Sequence, residues 1–168
     1  MGRISRIFKH RWFDETDTRR ALPSDALARI ETRVAASEQH HSGEIRVSVE
    51  AGLPLSYLLK KLSARDRAIM LFGKLRVWDT EQNNGVLIYL MLAEHAIEIV
   101  ADRGLNQHVS PAQWQALITP MRAAFAQGRF EAGLLQAIDA IDGLLIRHFA
   151  LAPGQTNPDE LPNRPDLR

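Results

Sequence analysis

The chain has 168 residues, a net charge of +1 and no cysteine. This length is enough for one domain with its own hydrophobic core. The lack of cysteine excludes disulfides, thiolate metal sites and cysteine catalysis. The near-zero net charge provides no field that attracts nucleic acid, so no nucleic-acid partner is predicted. Because no apolar stretch is long enough for a signal peptide or a bilayer span, we expect a cytoplasmic protein.

Residues 1–20 are predicted to form a basic N-terminal arm. At helical spacing, its apolar residues would share one face and its basic residues would cover the other. The apolar members are Ile4, Ile7, Phe8 and Trp12. Two interpretations stay open. The arm is either a helix that contacts a membrane surface or a partner, or a helix that packs on its own domain.

A domain is predicted over residues 21–150, and its first half reads as helix, strand, helix. Pro23 and Ser24 open a helix that ends near Gly43. Residues 44–50 alternate strictly between apolar and polar side chains, which predicts a half-exposed or edge strand. Residues 55–77 follow a helical pattern that weakens near Arg65, where a break into two helices is expected.

The second half of the domain reads as two strands and two helices. Residues 86–92 form an unbroken apolar strand, as expected at a sheet centre, and residues 96–101 return antiparallel to it. A helix opens at Ser110 and ends at Gly128, and the last helix covers residues 129–149. The remaining residues, 151–168, are rich in proline and are predicted to be an extended, mobile tail.

Three polar motifs are predicted to meet at one edge of the sheet. They are Ser42-Gly43-Glu44, Asn83-Asn84-Gly85 and Asp102-Arg103-Gly104. The first two strands belong to a βαβ unit and should be parallel, so both begin at the same edge. The third strand is antiparallel and ends there. The fold class is therefore α/β, with a small mixed sheet in which a βαβ unit is followed by an antiparallel hairpin and two C-terminal helices.

The loop before the second predicted strand spaces oxygen-bearing side chains at alternate positions, beginning with Asp79 and Glu81. Calcium binds several oxygen ligands from flexible loops of this kind. Glu44 and Asp102 could complete such a ligand set from the other two strands. The alternative is a solvated loop, in which the glycines and polar residues serve only as turn residues.

The ordered set of motifs resembles the TPM domain family. The resemblance rests on Ser42-Gly43-Glu44-Ile45, Asn84-Gly85-Val86-Leu87-Ile88 and Asp102-Arg103-Gly104, followed by Trp114, Phe125, Gly128 and Gly133. It covers about residues 23–150. The tail, Asn157-Pro158-Asp159-Glu160-Leu161-Pro162-Asn163, is similar to one that ends short bacterial members often encoded beside LemA-type proteins.

The resemblance implies a three-layer α/β/α sandwich and, for some relatives, calcium binding and weak acid-phosphatase activity. By motif position, Glu44, Asn84 and Asp102 carry over. The predicted metal set is therefore Glu44, Asp79, Glu81, Asn84 and Asp102, with Ca²⁺ as the ion. Two functions are predicted. The first is a non-catalytic interaction module, with a LemA-type partner or peripheral membrane contact through residues 1–20. The alternative is a calcium-dependent phosphomonoesterase, in which the ion would stabilise charge on the phosphate oxygens.

Overall fold

The computed structural model describes residues 3–168, with side-chain surroundings from residue 5 onward, so Met1, Gly2 and the side chains of Arg3 and Ile4 lie outside the described residues. The elements in chain order are α1 (Arg3–Trp12), α2 (Glu15–Ala21), α3 (Ser24–Ser37), β1 (Ile45–Glu50), α4 (Leu55–Leu59), α5 (Ala64–Lys74), β2 (Val86–Met91), β3 (Ala96–Ala101), α6 (Arg103–Asn106), α7 (Pro111–Ala126), α8 (Phe130–Phe149) and β4 (Asp166–Leu167). No helix in this range combines the length and the apolar character that a bilayer crossing requires.

The sheet has the strand order β3-β2-β1-β4. β1 pairs in parallel with β2, and Ile45 lies opposite Val86. β2 pairs antiparallel with β3, and Val86 lies opposite Ala101. The predicted βαβ unit and the hairpin after it are therefore confirmed. The fourth strand, β4, was not predicted.

Two separate apolar cores flank the sheet, which confirms the three-layer α/β/α sandwich. On one side, alternate residues of the three long strands pack against α3, α7 and α8. On the other side, Leu87, Tyr89 and Met91 of β2 pack against α4 and α5. β2 is buried on both faces because it supplies side chains to both cores, and this explains its unbroken apolar sequence.

The prediction that β1 is an edge or half-exposed strand is wrong. β1 lies between β2 and β4, and all six of its residues are buried. Its polar face is covered because each polar side chain has a hydrogen-bond partner elsewhere in the chain. Glu50 accepts hydrogen bonds from Arg67 at 2.8 Å and from the Tyr89 hydroxyl at 2.6 Å, and Ser48 donates to Asp166 at 2.9 Å.

The C-terminal tail was predicted to be mobile, but in the structure residues 157–168 return to the sheet. β4 adds to β1 in parallel, and the Arg168 amide donates to the Val49 carbonyl at 2.9 Å. The Arg46 guanidinium donates to the carbonyls of Pro162 and Arg164. The tail docks because it supplies hydrogen-bond partners for the open side of β1 and for its buried polar face.

The predicted helical region 55–77 is divided into α4 and α5, as its broken pattern suggested. The division falls at residues 60–63, a few residues earlier than Arg65. The cause is a capping box at the start of α5. The Ser63 hydroxyl accepts from the Asp66 amide at 3.1 Å, and the Asp66 carboxylate accepts from the Ser63 amide at 2.7 Å.

Candidate functional site

The three polar motifs lie side by side at one edge of the sheet, as their order in the sequence predicted. The Val86 amide donates to the Glu44 carbonyl at 2.8 Å, which joins the first motif to the second. The Asp102 amide donates to the Gly85 carbonyl at 2.9 Å, which joins the second motif to the third. The edge is therefore a continuous polar region made from three distant parts of the chain.

The glycines of these motifs permit close backbone contacts. A Cβ atom on Gly104 would lie 2.5 Å from the Asn83 carbonyl oxygen, and one on Gly85 would overlap the Val77 carbonyl. Neither glycine has a positive φ. The neighbouring backbone leaves no room for a Cβ atom, and this is why glycine stands at both positions. A left-handed turn conformation is not the reason.

Asn84 and Asp102 are buried, and each has one side-chain oxygen without a hydrogen-bond partner. The Asn84 amide nitrogen donates to the Ser42 hydroxyl at 3.1 Å, and its Oδ1 is unpartnered. Asp102 Oδ1 accepts from the Arg103 amide at 2.6 Å at the start of α6, and its Oδ2 is unpartnered. Buried oxygens without partners are rare, because each costs the free energy of its lost hydration.

Asp79 and Glu81, the loop members of the predicted metal set, are exposed. The Asp79 carboxylate lies 3.9 Å from the Arg76 guanidinium. The Glu81 backbone amide donates to the Glu160 carboxylate at 3.1 Å. Neither carboxylate belongs to the cluster that Glu38, Glu44 and Asp159 form. The part of Asp79 and Glu81 in ion binding therefore stays a prediction.

An acidic cluster forms where the tail crosses the beginning of β1. The carboxylates of Glu38, Glu44 and Asp159 each place an oxygen within 4.8 Å of the others. Glu38 follows α3, Glu44 precedes β1, and Asp159 comes from the tail. Glu38 and Glu44 are only 5% and 0% exposed. Two anionic side chains are therefore held together out of water, which is costly unless protons or a cation neutralise them.

Hydrogen bonds fix one oxygen of each buried glutamate and leave the other open. Glu38 Oε1 accepts from the Ile45 amide, and Glu44 Oε2 accepts from the Leu161 amide, both at 3.0 Å. Glu38 Oε2 and Glu44 Oε1 have no partner. The backbone thus orients each carboxylate and leaves a free oxygen for a ligand.

Two asparagine side chains of the tail lie next to these carboxylates. Asn163 lies beside Glu38 and Asn157 beside Glu44, and the Oδ1 atom of each asparagine is buried without a partner. A cavity of about 290 Å³ opens over the cluster, and its lining includes Glu38, Asn157, Asp159 and Asn163. We call the group Glu38, Glu44, Asn157, Asp159 and Asn163 the tail site.

The environment of the tail site favours protonated carboxyl groups as long as nothing else neutralises them. Burial raises the pKa of Glu38 to about 8, with further contributions from the negative charges of Glu44 and Asp159. Burial also raises the pKa of Glu44, and the Leu161 amide opposes this effect. A group of this kind binds a cation in exchange for protons.

Of the tail site, the sequence predicted only Glu44 as a ligand. Glu38 was missed because it lies in a polar cluster at the end of a helix. The tail residues were missed because proline-rich composition indicated disorder. The available signal was the spacing of oxygen-bearing residues at Asn157 and Asp159, the same alternation that drew attention to the loop at Asp79.

Comparison with known proteins places the chain in a family. The TPM domain model matches residues 16–144, and the chain belongs to the TPM domain family. The fold is similar to the NMR structure of the BA42 protein from the psychrophilic bacterium Bizionia argentinensis. That match has 28% identity and a TM-score of 0.76, and it covers 88% of this chain and 95% of the other.

A second solved structure shares the fold at lower identity. It is the N-terminal domain of a protein from P. gingivalis, with 20% identity, a TM-score of 0.59, and coverage of 78% of this chain and 83% of the other. Among curated proteins no match was found.

Proposed function

We propose that this TPM domain is a calcium-binding interaction module, and that the tail site holds the ion. The observation that carries the proposal is the convergence of three carboxylates within 4.8 Å, two of them buried with one unpartnered oxygen each. A bound cation would supply the missing partner for these oxygens. It would also remove the repulsion between the carboxylates.

The ligand chemistry favours Ca²⁺ over other metals. The five side chains of the tail site offer only oxygen atoms, three from carboxylates and two from amides, and hard cations prefer such ligands. Ca²⁺ accepts six to eight oxygen ligands in flexible geometry, whereas Mg²⁺ retains most of its water. A site with several protein oxygens therefore suits Ca²⁺ better.

The ion would couple three parts of the chain that are distant in sequence. Glu38 is the residue after α3, Glu44 is the residue before β1, and Asn157, Asp159 and Asn163 belong to the tail. Calcium binding would therefore strengthen the docking of the tail on β1. An interaction module regulated in this way would offer different surfaces to a partner with and without the ion. The LemA-type partner that the family resemblance suggests stays a prediction.

Calorimetric titration with Ca²⁺ tests the proposal on the wild type and two variants. Asp159 is exposed, so Asp159→Asn removes one ligand charge without disturbing the core, and we expect at least a tenfold loss of affinity. Asp79→Asn is the matched control, because it changes an exposed carboxylate of the loop that the sequence singled out. We expect it to bind like the wild type.

The results of this titration distinguish the tail site from the loop that contains Asp79. Absence of calcium binding in the wild type would end the proposal. A loss confined to Asp79→Asn would assign the ion to the loop set predicted from the sequence. A loss of calcium affinity that is confined to Asp159→Asn supports the tail site.

The alternative function is a calcium-dependent phosphomonoesterase. Its support is the partial exposure of the tail site, since the Asp159 side chain lies at the surface and an ion there could also bind a phosphate oxygen. Turnover of an aryl phosphate that requires Ca²⁺ and disappears in Asp159→Asn would favour this reading. Calcium binding without turnover favours the interaction module.

A further inference from the structure

Helix α1 is oriented with its aromatic side chains outward and with Arg6, Ile7 and His10 toward the domain. Phe8 is 66% exposed and Trp12 is 84% exposed, whereas His10 on the opposite side is only 3% exposed. Arg6 and His10 both contact the Glu94 carboxylate, at 2.7 and 2.9 Å. An amphipathic helix at the surface of a domain normally turns its aromatic residues toward the core. The reversed orientation leaves an aromatic face that the fold of this chain does not use.

Buried polar contacts fix this orientation. The Leu53 amide donates to His10 Nδ1 at 3.0 Å, so the neutral ring carries its proton on Nε2 and donates it to Glu94. Arg6 also donates to the Leu62 carbonyl at 3.0 Å. The chain at Gly52 is so close that a Cβ there would lie 2.6 Å from the His10 carbonyl oxygen. Rotating α1 to bury Phe8 and Trp12 would break all of these contacts.

Cations flank the exposed aromatic pair. At about 100° per residue, Lys9 and Arg11 lie on either side of the Phe8–Trp12 stripe. α1 itself contains no carboxylate, and the first acidic residues follow its end. The Glu94 carboxylate, which contacts α1 from the domain, is engaged by Arg6 and His10. The outward face of α1 is therefore aromatic and positively charged.

The neighbouring helix α4 has the same character. It packs against α1, and its residues Leu55 and Leu59 are 48% and 50% exposed. Lys60 and Lys61 follow directly and are exposed. Two adjacent helices thus combine exposed apolar side chains with cations.

We propose that α1 and α4 dock the protein on an anionic lipid surface. Trp is favoured at the membrane–water interface, where its ring lies among the headgroups. Nearby cations are attracted to anionic lipids, and an amphipathic helix with aromatic and basic residues binds in the plane of the interface. Four apolar side chains scattered on two convex helices are a small surface for a stable protein complex, which buries about 800 Å² on each partner. A lipid surface requires no complementary groove.

Binding to vesicles tests this proposal, with EDTA present so that calcium bound at the tail site has no influence. The wild type is expected to cosediment with vesicles of mixed phosphatidylglycerol and phosphatidylcholine. It should bind pure phosphatidylcholine vesicles much more weakly and should dissociate at high salt. Trp12→Ser should reduce partitioning about tenfold, because an indole is lost from the interface.

Trp78→Ser is the matched control. Trp78 is also about half exposed, at 51%, and it follows α5 on a loop outside α1 and α4. We expect this variant to partition like the wild type. Arg11→Glu should weaken binding to anionic vesicles and leave the weak binding to neutral vesicles unchanged.

Several results would overturn the proposal. Equal binding to neutral and anionic vesicles would remove the role of charge, and equal losses in Trp12→Ser and Trp78→Ser would remove the role of α1. Self-association of the wild type that is lost in Trp12→Ser, without vesicle binding, would assign the face to a second copy of the chain. Failure of calcium binding would leave this inference untouched, because the two sites use different residues.

Discussion

Replacing Glu38 by glutamine should have opposite effects on the ion-free and the calcium-bound protein. Glutamine has nearly the same shape, and its Oε1 can keep the hydrogen bond from the Ile45 amide that Glu38 accepts at 3.0 Å. The change removes one negative charge from beside Glu44 and Asp159. Without calcium this relieves repulsion and a desolvation cost, whereas with calcium it removes a charged ligand.

The pH dependence of the ion-free effect follows from the raised pKa. Burial raises the pKa of Glu38 from 4.5 to about 8. Between these values the folded protein keeps a proton that the unfolded chain releases, so the free energy of unfolding falls as pH rises through this window. At about 1.36 kcal/mol per pH unit, an interval of about 3.5 units corresponds to a loss on the order of 5 kcal/mol. Glu38→Gln avoids this loss.

Urea denaturation at pH 5 and pH 9, with EDTA or with saturating Ca²⁺, measures these effects. In EDTA at pH 9, Glu38→Gln should be more stable than the wild type by several kcal/mol, and the two should be close at low pH. With calcium at about 100 times its dissociation constant, the wild type should gain about 2.7 kcal/mol and the variant much less. Glu31→Gln, at an exposed position of α3, the helix that Glu38 follows, should differ from the wild type by less than about 0.5 kcal/mol throughout.

Two results would refute the reasoning. If Glu38→Gln were no more stable than the wild type at pH 9 in EDTA, Glu38 would not hold a proton in the folded state. If calcium stabilised both proteins equally, Glu38 would not be a ligand of the ion.

Three further predictions concern the proton balance, a glycine contact and the tail. Calcium affinity should be higher at pH 8 than at pH 6, with proton uptake by the buffer in calorimetry, because the raised pKa values of Glu38 and Glu44 require deprotonation on binding. Gly104→Ala should lower the free energy of unfolding by about 1–3 kcal/mol through its clash with a backbone carbonyl, measured by urea denaturation. Gly73→Ala, where no atom lies within 4 Å of the added Cβ, should instead stabilise α5 by up to about 1 kcal/mol. Arg46→Met should release the tail, seen as faster amide exchange in residues 161–168, while exchange in β2 stays slow.

The first three strands could be predicted because their patterns are local. Residues 86–92 are uniformly apolar and residues 44–50 alternate between apolar and polar side chains, and both patterns are typical of strands. Their relative directions followed from the chirality of the βαβ connection. The same rules placed the three polar motifs at one edge, and hydrogen bonds between neighbouring motifs join them there.

The environment of β1 could not be predicted, because its partners are far away in sequence. Alternation of polar and apolar residues indicates which side chains share a face, and water is the usual partner of a polar face. Here the partners of Arg46 are carbonyls of the tail, and the partner of Glu50 is Arg67 of α5. Only the folded arrangement reveals that the polar face is buried.

The tail was misjudged for a related physical reason. A segment with few apolar residues cannot bury enough surface to offset its ordering entropy, so its composition predicts disorder. This tail is instead held by polar contacts: Leu161 donates to Glu44, and the tail carbonyls accept from Arg46. Buried polar groups on β1 would be unsatisfied without it. If the ion at the tail site adds to these contacts, chelation should speed amide exchange in residues 157–163 before it affects any strand of the sheet. Amide exchange measured with and without EDTA will test this.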